Sequence, residues 1–201
     1  PISAMQPEDE QLVARCLEGD AESFGQLVSR YENAVYATAF YYVGRHGSAE
    51  DVAQEAFLEA YRSLGQLRDP RRFGPWLREV ASRTAANWLR KHGRRLNMET
   101  PLPFRRTVSI EDAREGPAGA LEHEELYGRV QKAIDTLPER YRLPVVLRYL
   151  QELSYQEISD FTGESREEIR GILQRAGGQL RELLADLGTN EDEGKWLPAQ
   201  E

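Results

Sequence analysis

Apolar residues recur along most of this chain at the three- and four-residue spacing that lines one face of an α-helix. Leu12, Val13, Cys16 and Leu17 form a first stripe. After the break at Gly19-Asp20 the pattern resumes through Phe24, Leu27, Val28, Tyr31 and Val35. Gly44 and Gly47 bracket a turn. Ser48, three residues before Asp51, predicts the start of a third helix carrying Val52, Phe57, Leu58 and Tyr61. Two glycines and two prolines between Gly65 and Pro75 predict a loop. The next helix is expected from Trp76 to Lys91, with Trp76, Leu77, Val80, Thr84, Trp88 and Leu89 mostly inward.

From residue 93 the periodicity fades. Pro101, Pro103 and Pro117, with Gly93, Gly116 and Gly119, mark a linker over 96–119. Helical spacing returns at Leu121, Leu126, Val130 and Ile134, and again at Tyr141, Val145, Val146 and Leu150. Thr136 and Glu139 suit a capping box around Pro138. Two further boxes are Ser154-x-x-Glu157 and Ser165-x-x-Glu168. In each, the serine oxygen can accept a bond from a free backbone N–H while the glutamate reaches back. Gly163, between them, suits the positive φ of a tight turn. A short helix, a glycine turn and a longer helix over 166–186 spell a helix-turn-helix. Helix hairpins that bind no DNA share this outline. The expected fold is all-α, with two small helical domains (8–95 and 120–187), an irregular linker and an acidic tail over 188–201.

Composition narrows the possible chemistry. A chain of 201 residues, 40% hydrophobic and 30% charged, supports one or two small cores under an ionic surface. The single Cys16 forms no internal disulfide, which suits a reducing cytoplasm. No basic-then-apolar leader is visible, and no apolar run approaches the roughly 20 residues a membrane helix needs. Three histidines and one cysteine show no metal-ligand spacing. There is no phosphate-binding glycine loop and no nucleophile pair, and Glu124-Glu125 reads as helix surface. The chain is therefore expected to be no enzyme and to need no cofactor.

The net charge of −8 alone argues against a nucleic-acid binder, but its distribution changes that picture. Residues 1–60 carry 3 basic and 11 acidic side chains, and residues 111–201 carry 11 and 20. Residues 61–110 carry 12 basic and 3 acidic. A local positive block governs phosphate binding more than the molecular total. A solvated basic face explains the same block without any partner.

Three segments, in this order, resemble the extracytoplasmic-function sigma factors of bacterial RNA polymerase. The stretch Ala49-Glu50-Asp51-Val52-Ala53-Gln54-Glu55-Ala56-Phe57-Leu58 is similar to the family's region 2 signature. The resemblance implies that Asp51, Gln54, Glu55 and Phe57 serve binding to core polymerase, at the clamp of its β′ subunit. A generic amphipathic helix explains Val52, Phe57 and Leu58 but not the Asp51/Gln54/Glu55 set.

The second segment runs from Arg72-Phe73-Gly74-Pro75-Trp76-Leu77-Arg78-Glu79-Val80-Ala81 to Asn87 and Arg90. It resembles the family stretch that contacts the −10 promoter element. Unstacked bases are held by aromatic faces and basic side chains. On that basis Arg68, Arg71, Arg72, Phe73, Trp76, Arg78, Arg83, Asn87, Arg90 and Lys91 are the −10 candidates. Arg94 and Arg95 can add phosphate contacts. Core packing explains Trp76 and Trp88 as well as base stacking does. Arg83 stands where the family often has asparagine.

The third segment joins Leu137-Pro138-Glu139-Arg140-Tyr141-Arg142, Val146-Leu147-Arg148-Tyr149 and Leu153-Ser154-Tyr155-Gln156-Glu157-Ile158. It resembles region 4, whose helix-turn-helix reads the −35 element and meets the flap of the β subunit. Arg166, Arg170, Gln174 and Arg175 are the −35 candidates, and a solvated helix face is the alternative. The recognition stretch departs from the family: Glu168 replaces Thr, Ile172 and Gly177 replace Arg. Glu167 and Glu168 favour their own helix N-terminus but repel phosphate. Gly171, Gly177 and Gly178 each cost about 1 kcal/mol of helix propensity relative to Ala.

The resemblance implies a sigma factor that directs core polymerase to promoters, helps open the −10 element, and is held by an anti-sigma factor. Leu102-Pro103-Phe104 would thread toward the active cleft, as family linkers do. The tail's Lys195-Trp196-Leu197-Pro198 reads as a docking peptide or as a disordered end. Two rivals differ in what they leave unexplained. A stand-alone helix-turn-helix regulator leaves the 49–58 stretch without a role. A sigma-like protein acting mainly through protein contacts would accommodate the acidic turn at Glu164–Glu168.

Overall fold

A computed structural model describes residues 7–43, 46–96 and 133–185. Every regular element among these residues is helical. The N-terminal half holds α1 (Asp9–Leu17), α2 (Ala21–Val43), α3 (His46–Ser63) and α4 (Phe73–Leu96). Two short 3-10 turns, Leu64–Gln66 and Pro70–Arg72, lie between α3 and α4. The C-terminal half holds α5 (Glu139–Tyr149), α6 (Tyr155–Thr162) and α7 (Arg166–Ala185). The expected linker, the Leu121–Val130 pattern, the Leu102-Pro103-Phe104 segment and the tail lie outside the described residues.

Local chemistry sets the helix starts. Asp20 ends the α1–α2 turn by accepting from the Glu22 and Ser23 backbone N–H groups, the Ser23 hydroxyl and Arg15. Those donors, Ser23 first, hold its carboxyl below the usual range. Both later capping boxes form as the sequence predicts. Ser154 Oγ accepts from Glu157 N–H at 3.2 Å while Glu157 accepts from Ser154 N–H at 2.7 Å. Ser165 and Glu168 repeat the arrangement at 3.3 and 2.8 Å. Gly163, at φ 79°, ends α6 in the left-handed conformation. Ser154→Ala should therefore lower stability by about 1 kcal/mol, read as a shifted urea midpoint at constant slope.

Other starts differ from the pattern. α3 begins at His46, so Ser48 lies inside it rather than capping it. α4 begins at Phe73 rather than Trp76, with Pro75 in its first turn, where a missing N–H costs nothing. The Asp69 side chain prepares that start by accepting from Arg71 N–H at 3.1 Å. α4 also runs on to Leu96, past the expected end. Thr136 makes no capping box. Its hydroxyl donates back to the Ala133 carbonyl at 2.7 Å, and Pro138 starts α5 with no side-chain bond.

The N-terminal half packs α2 against α1, α3 and α4. The buried face of α3 is made of Ala49, Val52, Ala53, Ala56 and Ala60, small side chains that let its neighbours approach closely. Leu17, expected in the first stripe, is 55% exposed. In the C-terminal half, α5 and α6 pack on α7 around Val145, Leu147, Ile158, Phe161 and Ile169.

The two halves share one apolar cluster. α2 meets α5, and the start of α4 meets α6. Tyr31 bridges the seam, its ring centroid 5.6 Å from Phe73 and 6.1 Å from Phe161. The Tyr31 hydroxyl donates to Asp9, which also holds Arg30. Burial, then the Asp9 bond, pushes the Tyr31 hydroxyl pKa well above its ordinary value. A Cβ at Gly74 would drive into the Asp160 carbonyl oxygen, so glycine permits this close approach. A Cβ at Gly163 would stand 2.9 Å from Pro75 Cγ.

Candidate functional site

The solvent face of α3 carries Asp51, Gln54 and Glu55, all exposed. Beside them Leu58 is 55% exposed and Tyr61 49% exposed. Phe57 is half-buried and packs on the core. Small residues make the buried face of α3, so Leu58 is turned outward and Tyr61 lies half-exposed with its ring 4.9 Å from that of Phe24. An acid–amide patch bordered by uncovered apolar side chains is the composition of a protein-binding face.

The basic block divides between exposed and covered residues. Arg68, Arg71 and Arg72 are exposed around the second 3-10 turn, with Arg71 Nε 3.2 Å from Asp69. Arg83, Arg90 and Lys91 are exposed along α4, and Asn87 is half-buried. Trp76 and Trp88 are half-buried against the core, and Trp88 lies over His92 with centroids 4.5 Å apart. Phe73, a −10 candidate from sequence, is fully buried between Tyr31 and Trp76 and presents nothing to solvent in this arrangement. Arg78 is half-buried, and its Nε is covered without a hydrogen-bond acceptor.

In the C-terminal half, Arg166, Arg170 and Gln174 stand at four-residue intervals on one exposed stripe of α7. Arg175 is exposed too, but its Nε donates to the Tyr141 hydroxyl at 3.1 Å instead of extending into solvent. Arg140 donates to the same hydroxyl at 3.1 Å, a role the linear sequence does not signal. Glu164, in the turn before α7, has a covered Oε2 without a hydrogen-bond donor. Burial raises its carboxyl above the ordinary range, and the Arg78 charge acts across the seam to lower it. Asp160 is raised likewise, chiefly by burial, although Gln156 donates to it at 2.7 Å. Among the described residues no group of His, Cys, Asp and Glu is placed to hold a metal ion, and no helix is long and apolar enough to cross a membrane.

Comparison with known proteins accounts for this pairing of an acidic-apolar helix face with a basic helix and a helix-turn-helix. Residues 27–95 match the model of Sigma-70 region 2, and residues 133–182 match Sigma-70 region 4. The chain is 36% identical over 159 residues to the RNA polymerase sigma-H factor of Pseudomonas aeruginosa, covering 77% of this chain and 82% of that protein. It is 35% identical over 195 residues to the ECF RNA polymerase sigma-E factor of Haemophilus influenzae, covering 92% and 99%. Among solved structures, it is similar to CnrH in complex with the cytosolic domain of CnrY. That match has a TM-score of 0.56 and 26% identity, over 89% of this chain and 97% of that one. The chain belongs to the extracytoplasmic-function sigma factors of the sigma-70 family: it is not an enzyme but a subunit that directs RNA polymerase to promoters.

Proposed function

We propose that this sigma factor works in the cytoplasm and docks on the β′ clamp of core polymerase through Asp51, Gln54 and Glu55, with Phe57 bracing the helix beneath. The observation that carries the reading is the exposed face of α3, where Leu58 and Tyr61 lie uncovered beside three polar side chains. The exposed Arg68, Arg71, Arg72, Arg83, Arg90 and Lys91 then bind −10 phosphates, while Asn87 and Trp76 lie among them to meet bases. Arg78 joins them only when the C-terminal half moves off α4, whereas Phe73, packed between Tyr31 and Trp76, braces the start of that helix. The Arg166, Arg170 and Gln174 stripe enters the −35 groove, and the rest of the C-terminal half meets the β flap. An anti-sigma partner covers the same surfaces in the resting state. CnrH, to which the chain is similar, was solved in complex with the cytosolic domain of CnrY, which supports a protein partner for this fold.

Combining Gln54→Ala with Glu55→Lys tests the docking face. Both residues are exposed, so the fold should persist. Affinity for core polymerase should fall at least tenfold, or about 1.4 kcal/mol. Binding of the free protein to duplex DNA should not change. Unaltered affinity for core would remove α3 from the interface.

A further inference from the structure

The acidic tail over 188–201 lies outside the described residues, and promoter binding gives it no role. Glu191-Asp192-Glu193 sets three carboxylates side by side, and Trp196 follows three residues later, with Lys195 as the single cation. An acidic block of this kind is drawn to a cationic surface, and charge decides which surface of this chain it fits. The face of α3 that carries Asp51 and Glu55 repels it. On α7, exposed Glu167 and Glu168 stand between Arg166 and Arg170. α4 differs, with six basic residues and one acid, Glu79. Arg83, Arg90 and Lys91 are exposed on it, and none has a described carboxylate within salt-bridge distance.

The spacing on the helix suits the spacing in the tail. Arg83 and Arg90 are two turns apart, a rise of about 10 Å, and His92 lies about 3 Å further on. Trp88 and His92, both half-buried with centroids 4.5 Å apart, border these charges. An extended run over 191–196 spans about 17 Å, so its carboxylates can meet Arg83 and Arg90 while the indole reaches the Trp88–His92 pair. The heads of Arg90 and Lys91 also favour an aromatic face beside them.

The tail is long enough to get there. α7 ends at Ala185 and packs on α6, which packs on α4. Two helix layers measure about 20 Å across, and α4 rises about 25 Å from the seam to Arg90. The chain from Ala185 to Trp196 spans up to about 36 Å. Exposed ion pairs are individually weak, but a tethered segment faces its site at millimolar effective concentration.

We infer that residues 191–196 fold back onto the basic face of α4 and compete there with nucleic acid, so that promoter DNA must displace the chain's own tail. The competition rests on the reading that α4 binds DNA; the contact does not.

Two measurements on the full chain separate the contact from the competition. The first places a nitroxide on Ala199→Cys, Cys16 being buried. The label should broaden the Nε–H resonances of Arg83 and Arg90 and spare Arg170. Combining Glu191→Gln, Asp192→Asn and Glu193→Gln should remove the broadening, as should added salt. The second measures affinity for a short single-stranded oligonucleotide. The same neutralised chain should bind it about fivefold more tightly, the share that an internal competitor withholds. Glu18→Gln, Glu22→Gln and Glu32→Gln together, all exposed and remote in sequence, change the net charge equally and should give a smaller gain. No broadening on α4 would overturn the fold-back whatever the oligonucleotide shows. Broadening of Arg170 instead would overturn it in favour of α7. Broadening that passes only between spin-labelled and isotope-labelled copies would overturn it in favour of a second molecule. Broadening on α4 with no gain from neutralisation, or with an equal gain from the remote set, would overturn the competition alone. If Arg83→Gln with Arg90→Gln also binds the oligonucleotide like the wild type, the reading of α4 falls with the competition.

Discussion

Phe161→Ala is expected to cost about 3–5 kcal/mol, a large share of the roughly 5–15 kcal/mol that holds a protein of ordinary stability. Phe161 is fully buried on α6, and its ring lies 6.1 Å from that of Tyr31 in the other half. The void left by alanine would be walled by two helical layers, so neither half can close it alone. The measurement is a urea titration followed by far-ultraviolet circular dichroism, with Phe161→Leu as a smaller truncation expected to lose less. A loss below about 1 kcal/mol would mean that the site collapses freely and that the seam is loosely packed.

Gly74→Val is the second large effect. Its Cβ would enter the space of the Asp160 carbonyl oxygen, which is backbone and cannot rotate away. Overpacking of this kind costs about 1–3 kcal/mol, and separating the halves relieves it without unfolding either. The predicted result is a larger radius of gyration in small-angle scattering with unchanged helical dichroism. Arg78, whose charge acts on Glu164 across the seam, would then be freed for promoter DNA. An unchanged radius of gyration with unchanged stability would contradict the packing of α6 on α4. The same seam should respond to pH. Burial raises the carboxyls of Asp160 and Glu164, so each binds its proton more tightly when the halves are packed. The packed arrangement is therefore favoured below the ordinary carboxylate range and loosens as pH rises through the raised values. Glu164→Gln should remove its share of that dependence.

The parts of the fold legible in the sequence are those where one local mechanism decides. The Ser154/Glu157 and Ser165/Glu168 boxes and Gly163 each specify their turn through adjacent atoms, and all three form. Thr136 fails where they succeed because the chain offers its hydroxyl the Ala133 carbonyl instead. α3 was harder to read. Its core face is made of small residues, so the larger Leu58 and Tyr61 dominate the hydrophobic pattern although Leu58 is turned outward and Tyr61 lies half-exposed. The seam was not legible at all. Gly74, Pro75 and Gly163 read as turn residues, and Tyr31 as an ordinary bundle side chain, until the halves are placed together.

The candidate site follows the same division. Exposed charges such as Asp51, Arg83 and Arg170 stand where the periodicity puts them. Phe73 and Arg175 do not, because each is held by a partner distant in sequence, Tyr31 for one and Tyr141 for the other. Arg140 bonds the adjacent Tyr141 within α5, a contact that no pattern of residue types signals, and only the second donor, Arg175, needs α5 to lie against α7.

Transcription in vitro by core bacterial polymerase, with and without this protein, on fragmented DNA from its source genome tests the central claim most directly. The account predicts new transcripts that start at specific promoters and depend on the protein. No protein-dependent transcript, from core that responds normally to a control sigma factor, would contradict it.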